Sequence, residues 1–142
     1  MSVYAHSATA HASPERVWAI WSDPSTWKRW DPGLVDIVLD GPFAPGTSGL
    51  MTTRTRGARG VRIVAVRPRR SFSLEAPGLP GTQLLFKCEV RPRADGGSTL
   101  SESVSVQGPL ARLWAPLLGP RIAQALSPAL TGLARYAEDA GH

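Results

Sequence analysis

Apolar and polar residues alternate along much of the middle of the chain, and this period of two is typical of strands with one buried face. The clearest case is 83–91, where Leu84, Phe86, Cys88 and Val90 would share one face. Turn signals containing Gly, Pro or Asp-Gly separate most such segments. The pattern predicts seven strands. They are 3–10, 35–40, 48–55, 61–67, 71–76, 83–91 and 99–107.

Two short helices are predicted after the first strand, at 14–22 and 24–29. Ser13 provides a side-chain acceptor at the N-cap, Pro14 presets φ, and Glu15 suits the positive end of the helix dipole. Asp23 ends the first helix because the residue before a proline is pushed out of the α region. The chain therefore turns twice before it enters the strand-rich middle.

The remaining segment, 109–140, has the composition and the apolar spacing of a helix. Gly119-Pro120 predicts a break into a shorter and a longer piece, and Pro128 predicts a kink in the longer one. One face of the longer piece would be apolar. Its residues are Ile122, Leu126, Leu130, Leu133 and Ala137.

This order of elements resembles the START-like superfamily, also described as polyketide cyclase/dehydrase and lipid transport or Bet v 1-like proteins. The resemblance covers nearly the whole chain, including Pro45-Gly46-Thr47 before the third strand and Gly108-Pro109-Leu110 before the final helix. It implies a single domain over 1–142 with the α+β helix-grip fold. In that fold a curved, seven-stranded antiparallel sheet surrounds a long C-terminal helix.

Composition agrees with one globular domain, with 42% apolar and 19% charged residues in 142. No apolar run approaches the roughly 20 residues that cross a bilayer, so stable membrane insertion is not expected. The N-terminus lacks the pattern of a signal peptide, and the single cysteine, Cys88, suits a reducing compartment. A cytoplasmic protein is expected, and the Ala, Gly, Pro and Arg content is typical of a GC-rich bacterial genome.

The net charge of +5 is unevenly placed, because 41–74 contains seven arginines and no acidic residue. The preferred interpretation is that these arginines lie on a solvent-exposed sheet face and at hairpin tips. No aromatic residue lies between Arg54 and Arg70, so the stacking surface of a single-strand nucleic-acid binder is missing. An acidic acyl carrier protein docking near Arg54, Arg56 and Arg59 is a further hypothesis.

Glu102 is the anomaly of the last strand, because it shares the phase of Leu100 and Val104. A carboxylate that faces an apolar interior must be paired, hydrated or protonated. The resemblance makes the first and seventh strands neighbours and favours a first strand that faces inward through His6. Either His6 and Glu102 satisfy each other or water, or they form a polar contact at the floor of a cavity.

The resemblance implies that a hydrophobic molecule binds between the sheet and the long helix. Trp27 and Trp30, beside the turn into the second strand, would then gate the entrance, and Cys88 would be a buried, inert thiol. The expected walls are Trp30, Val35, Ile37, Met51, Phe72, Leu74, Phe86, Cys88, Val104, Leu126, Leu130 and Leu133.

Three functions stay open, and the first is a binder of a lipid-like or polyketide-like molecule. The second is a polyketide cyclase, aromatase or dehydratase, with His6 as general base and Glu102 as its orienting partner. The third is a protein-interaction module of the chaperone-activator kind. No cofactor is expected, and with only three histidines and one cysteine we expect no metal site.

Overall fold

The computed structural model describes residues 2–54, 57–78 and 80–140, with side chains except those of 2, 3, 115, 118–127 and 140. In this part of the chain the strands are β1 (Ser2–Ala10), β2 (Leu34–Leu39), β3 (Ser48–Thr53), β4 (Gly57–Arg67), β5 (Ser71–Pro77), β6 (Gln83–Pro92) and β7 (Ser98–Gln107). They form one antiparallel sheet in the order β1-β7-β6-β5-β4-β3-β2. The predicted single sheet is confirmed, with β1 beside β7.

The helices between β1 and β2 begin at the predicted signals. They are α1 (Pro14–Trp21), a 3-10 turn (Pro24–Thr26) and α2 (Trp27–Trp30). The Ser13 hydroxyl accepts a hydrogen bond from the Arg16 backbone N–H at 3.2 Å and so caps α1. The Asp23 carboxylate accepts one from the Ser25 backbone N–H at 3.2 Å and begins the next turn.

The long helix α3 (Ala111–Ala140) lies mainly against β1 and β7. Leu130 and Leu133 are 1% and 0% exposed in the main core. The helix α1 contacts β6, and the rings of Trp21, Trp27 and Phe43 pack on Phe72 of β5. The inner face is therefore packed by α3 at β1 and β7, and by α1 and the aromatic rings at β5 and β6.

The predicted break at Gly119-Pro120 is wrong, because α3 runs through it without interruption. A proline removes only one intrahelical hydrogen bond, so the remaining bonds and the packing of α3 on β1 and β7 can keep the helix continuous. The kink at Pro128 stays a prediction. Among the described residues, no helix is long and apolar enough to cross a membrane.

The placement of Val35 on the inner face is also wrong, since it is 45% exposed. The buried residues of β2 are Leu34 and Ile37, and the register shifts by one between Leu34 and Asp36. Such a bulge inserts an extra residue and reverses the faces that simple alternation assigns. Two other predicted features, the end of the third strand at residue 55 and the side chain of Leu126, lie outside the described part of the chain.

Candidate functional site

A row of four residues crosses the inner face of the sheet. Glu102 on β7 lies directly opposite His6 on β1 and Cys88 on β6, and Cys88 lies opposite Phe72 on β5. Directly opposite residues of antiparallel strands point to the same face, with Cβ atoms about 4.5–5.5 Å apart. Sheet pairing thus brings an imidazole, a carboxyl and a thiol together beside an aromatic ring.

The carboxyl group of Glu102 faces space that protein atoms do not fill. On the same face of β7, Leu100, Val104 and Val106 are each 0% exposed, whereas Glu102 between them keeps accessible surface. Within the described part of the chain, Glu102 has no hydrogen bond or ion pair. No described protein group satisfies this carboxyl, so its oxygens are left to solvent or to a bound molecule.

His6 and Glu102 do not satisfy each other directly. The described residues include no hydrogen bond or ion pair between the imidazole and the carboxyl, although the two residues are opposite in register. His6 is half-buried, as is Ala8 two positions further along β1. The inner side of β1 is therefore not fully covered at these two positions, and the role of His6 in catalysis stays a prediction.

Asp31 is a second acidic group at this site, and sequence reasoning missed it. Its backbone N–H donates to the Trp27 carbonyl at 2.9 Å, and its carboxylate accepts from the Gly33 N–H at 3.0 Å. These bonds hold it at the end of α2, where its charge acts on both Glu102 and Cys88. Asp-Pro-Gly is a common turn signal, so the sequence indicated only a turn here.

Burial governs the protonation of the three acids. Burial, and after it the charge of Asp31, raises the pKa of Glu102 to about 8. Burial also raises the pKa of Asp31, and the hydrogen bond from Gly33 opposes that rise. Burial and the two neighbouring carboxyls raise the pKa of the Cys88 thiol well above its ordinary range. At neutral pH Glu102 and Cys88 therefore hold their protons. The burial of Cys88 is confirmed, and its inertness stays a prediction.

The two tryptophans predicted as gates differ. Trp27 is 6% exposed, stacks on Phe72 with ring centres 5.6 Å apart, and donates from Nε1 to the Trp21 carbonyl at 3.0 Å. It is a fixed part of the core, so its prediction as a gate was wrong. Trp30 is half-buried, and its buried Nε1 has no hydrogen-bond partner in the described structure.

A close approach of α3 sets the position of Trp30. A Cβ atom at Gly132 would collide with the Trp30 carbonyl oxygen, so only glycine lets the helix backbone lie this close. Trp30 immediately precedes Asp31. The contact between α2 and α3 thus positions both the unpaired indole and the second carboxyl.

The predicted walls divide into core residues and residues that border open space. Ile37, Phe72, Leu74, Val104, Leu130 and Leu133 are buried with at most 6% exposure. Trp30, Met51 and Phe86 are half-buried and pack against the same core. Fewer of the predicted wall residues therefore keep solvent-accessible surface than expected. The role of these residues as ligand contacts stays a prediction.

An open depression of about 390 Å³ lies at the start of α3, away from Glu102. Its lining residues are Val106, Gln107, Gly108, Pro109, Ala111 and Arg112. Its lining includes none of His6, Glu102, Cys88 and Phe72. We therefore do not assign the interior site to it.

The sheet, the gripped helix and an acid on the inner face define a protein of the helix-grip class. The family model for polyketide cyclase / dehydrase and lipid transport matches residues 1–138. The chain belongs to this family. Its resemblance to the START-like and Bet v 1-like proteins is thereby confirmed, and the fold fits a protein that binds hydrophobic ligands.

Solved structures support the same fold. A protein from Thermobifida fusca is 23% identical, with a TM-score of 0.75 over 96% of this chain and 93% of its own. Norcoclaurine synthase from Thalictrum flavum is 14% identical, with a TM-score of 0.74 over 95% of this chain and 85% of its own. Ara h 8.0201 is 17% identical, with a TM-score of 0.72 over 96% and 97%. No curated protein sequence matches the chain.

Proposed function

We propose that the protein binds an apolar small molecule between the inner face of the sheet and α3, with a polar group of that molecule against Glu102. The observation that carries this proposal is the unpaired carboxyl of Glu102 between strand neighbours that are fully buried. Phe86 and Ala8 are half-buried and would form apolar walls beside this carboxyl. An apolar pocket with few polar groups is typical of small-molecule sites.

The protonation of Glu102 indicates which polar group the molecule carries. With its pKa at about 8, the carboxyl is an O–H donor at neutral pH. The buried N–H of Trp30 is a second donor without a partner. A carbonyl or ether oxygen accepts such hydrogen bonds, so a lipid-like or polyketide-like ketone suits the site better than a pure hydrocarbon.

A solved relative supports a small aromatic ligand. Norcoclaurine synthase has been solved in complex with dopamine and hydroxybenzaldehyde, at 15% identity to this chain. A fold of this kind therefore has room for small aromatic molecules. We infer the same class of molecule here from the accessible surface around Glu102.

Narrowing the space should weaken binding. Ala8→Leu adds three carbon atoms on the inner face of β1, and we expect about a tenfold loss of affinity for 2-acetylnaphthalene, a neutral ketone, in calorimetric titrations. Ala5→Leu makes the same change on the exposed face of the same strand and should leave the affinity unchanged. Equal losses in both variants, or none in either, would contradict the interior site.

A second candidate function is a cyclase or dehydratase, and the raised pKa of Glu102 favours it. A carboxyl that keeps its proton at neutral pH can donate it to a carbonyl oxygen as an enol or aldol forms. Glu102 would then be the acid, in place of the orienting carboxylate first assigned to it. Asp31 or His6 would take the proton from carbon.

Glu102→Gln separates the two functions, because it keeps the shape and removes the transferable proton. For an enzyme, turnover of a poly-β-keto thioester should fall about 100-fold or more while affinity stays nearly constant. For a binder, only affinity and its pH dependence should change modestly. Glu89→Gln on the outer face of β6 is the control, and equal loss of turnover there would contradict a role for Glu102.

The remaining hypotheses gain less support. Arg54 and Arg59 donate to the backbone carbonyls of Pro32 and Pro77, and Arg56 lies outside the described part, so docking of an acyl carrier protein stays a prediction. A solid core together with an exposed apolar patch would favour an interaction module. Val38 and Leu50 are exposed, but the open space at Glu102 argues against a solid core. A cytoplasmic location also stays a prediction.

A further inference from the structure

The start of α3 presents apolar side chains to solvent. Leu113 and Leu117 are each 63% exposed and lie one turn apart, and Leu110 just before the helix is 41% exposed. Pro116 and Arg112 are exposed beside them. We call the surface formed by these five residues the α3 entry surface.

The opposite side of this helix turn is held to the body of the protein. The Trp114 indole donates to the Pro80 carbonyl at 2.8 Å, and the Leu110 backbone N–H donates to the Gly81 carbonyl at 3.2 Å. Ala111 is buried at 6% exposure. Because these contacts fix the rotation of the helix, Leu113 and Leu117 project outward in the folded protein.

The two chain segments that form and hold the α3 entry surface carry positive charge only. No acidic residue occurs between Glu102 and Glu138, and none occurs in 78–82, the loop that Trp114 and Leu110 contact. Arg112 is exposed and lines the open depression of about 390 Å³ at this end of the molecule. These two segments therefore place no carboxylate of their own in the path of an anionic group.

We propose that the α3 entry surface docks the protein on an anionic lipid bilayer, with Leu113 and Leu117 at the boundary of headgroups and acyl chains and Arg112 among the phosphates. Two leucines that protrude from a convex helix suit a soft, planar partner better than they suit a shaped protein groove. Basic residues beside them add attraction to anionic lipids. The proposal goes beyond ligand binding and does not depend on it.

Flotation with lipid vesicles tests the proposal. Wild-type protein should float with vesicles that contain phosphatidylglycerol, bind pure phosphatidylcholine vesicles more weakly, and dissociate from the anionic vesicles in high salt. Leu113→Ser with Leu117→Ser should reduce the partition coefficient about tenfold or more, since each leucine loses its transfer from water. Arg112→Glu should weaken binding to anionic vesicles alone.

Val38→Ser with Leu50→Ser is the matched control, because these two residues are 58% and 52% exposed as an opposite pair on β2 and β3. It should leave flotation unchanged. Circular dichroism should show that all variants are folded. Absence of wild-type flotation with either vesicle would overturn the proposal. So would sedimentation showing a dimer that the Leu113 and Leu117 variant abolishes, because the surface would then bind a second copy.

Discussion

Glu102→Gln is expected to make the protein more stable than wild type above about pH 8, by on the order of several kcal/mol. Burial raises the pKa of this carboxyl from its ordinary value of 4.5 to about 8, so the folded protein keeps a proton that the unfolded chain releases. The contribution of Glu102 to wild-type stability is therefore greatest below pH 4.5 and is lost as the pH rises through 8. A glutamine cannot ionise and avoids this loss.

Urea denaturation at about pH 5 and about pH 9 measures the effect. The two proteins should have similar unfolding free energies at the lower pH and differ at the higher one. Glu89→Gln is the control, because Glu89 lies on the outer face of β6 in ion pairs with Lys87 and Arg91. A Glu102→Gln protein that keeps the full wild-type pH dependence would show that the carboxyl is not buried in the folded state.

Leu130→Ala should lower the unfolding free energy by about 2–5 kcal/mol, because it leaves a cavity where α3 meets the core. Leu130 is 1% exposed and belongs to the cluster that contains Leu133 and Leu100. Denaturation in urea at constant pH gives the difference. Leu113→Ala makes the same change at a position that is 63% exposed and should cost about 0.5 kcal/mol or less.

A loss well below 2 kcal/mol at Leu130 would contradict its place in a packed core. It would indicate instead that the side chain borders open space. The space for a ligand would then extend along α3 rather than stay near Glu102.

The regular strands were predictable because alternation with a period of two assigns a face to each residue. Placing Glu102 on the inner face needed only its phase with Leu100 and Val104. The prediction that His6 on β1 points to the inner face rested on the family resemblance. The register of β1 and β7 places the two residues opposite each other.

Features that depend on irregular backbone or on tertiary packing were not predictable. The bulge near Val35 reverses a face, and alternation carries no signal for an inserted residue. Asp31 directly follows Trp30, whose backbone lies against α3 at Gly132, and this contact between distant segments has no signal in the local sequence. The continuity of α3 through Pro120 likewise reflects packing that outweighs local propensity.

The most direct test of the interior site follows the carboxyl carbon of Glu102 by NMR while 2-acetylnaphthalene is added at neutral pH. The resonance should be that of a protonated acid, should titrate with a pKa near 8 in the free protein, and should shift saturably as the ketone binds. The carboxyl carbon of Glu89 should not respond to the ketone. A Glu102 resonance that titrates near 4.5 and is unaffected by a ketone that binds elsewhere would contradict the account.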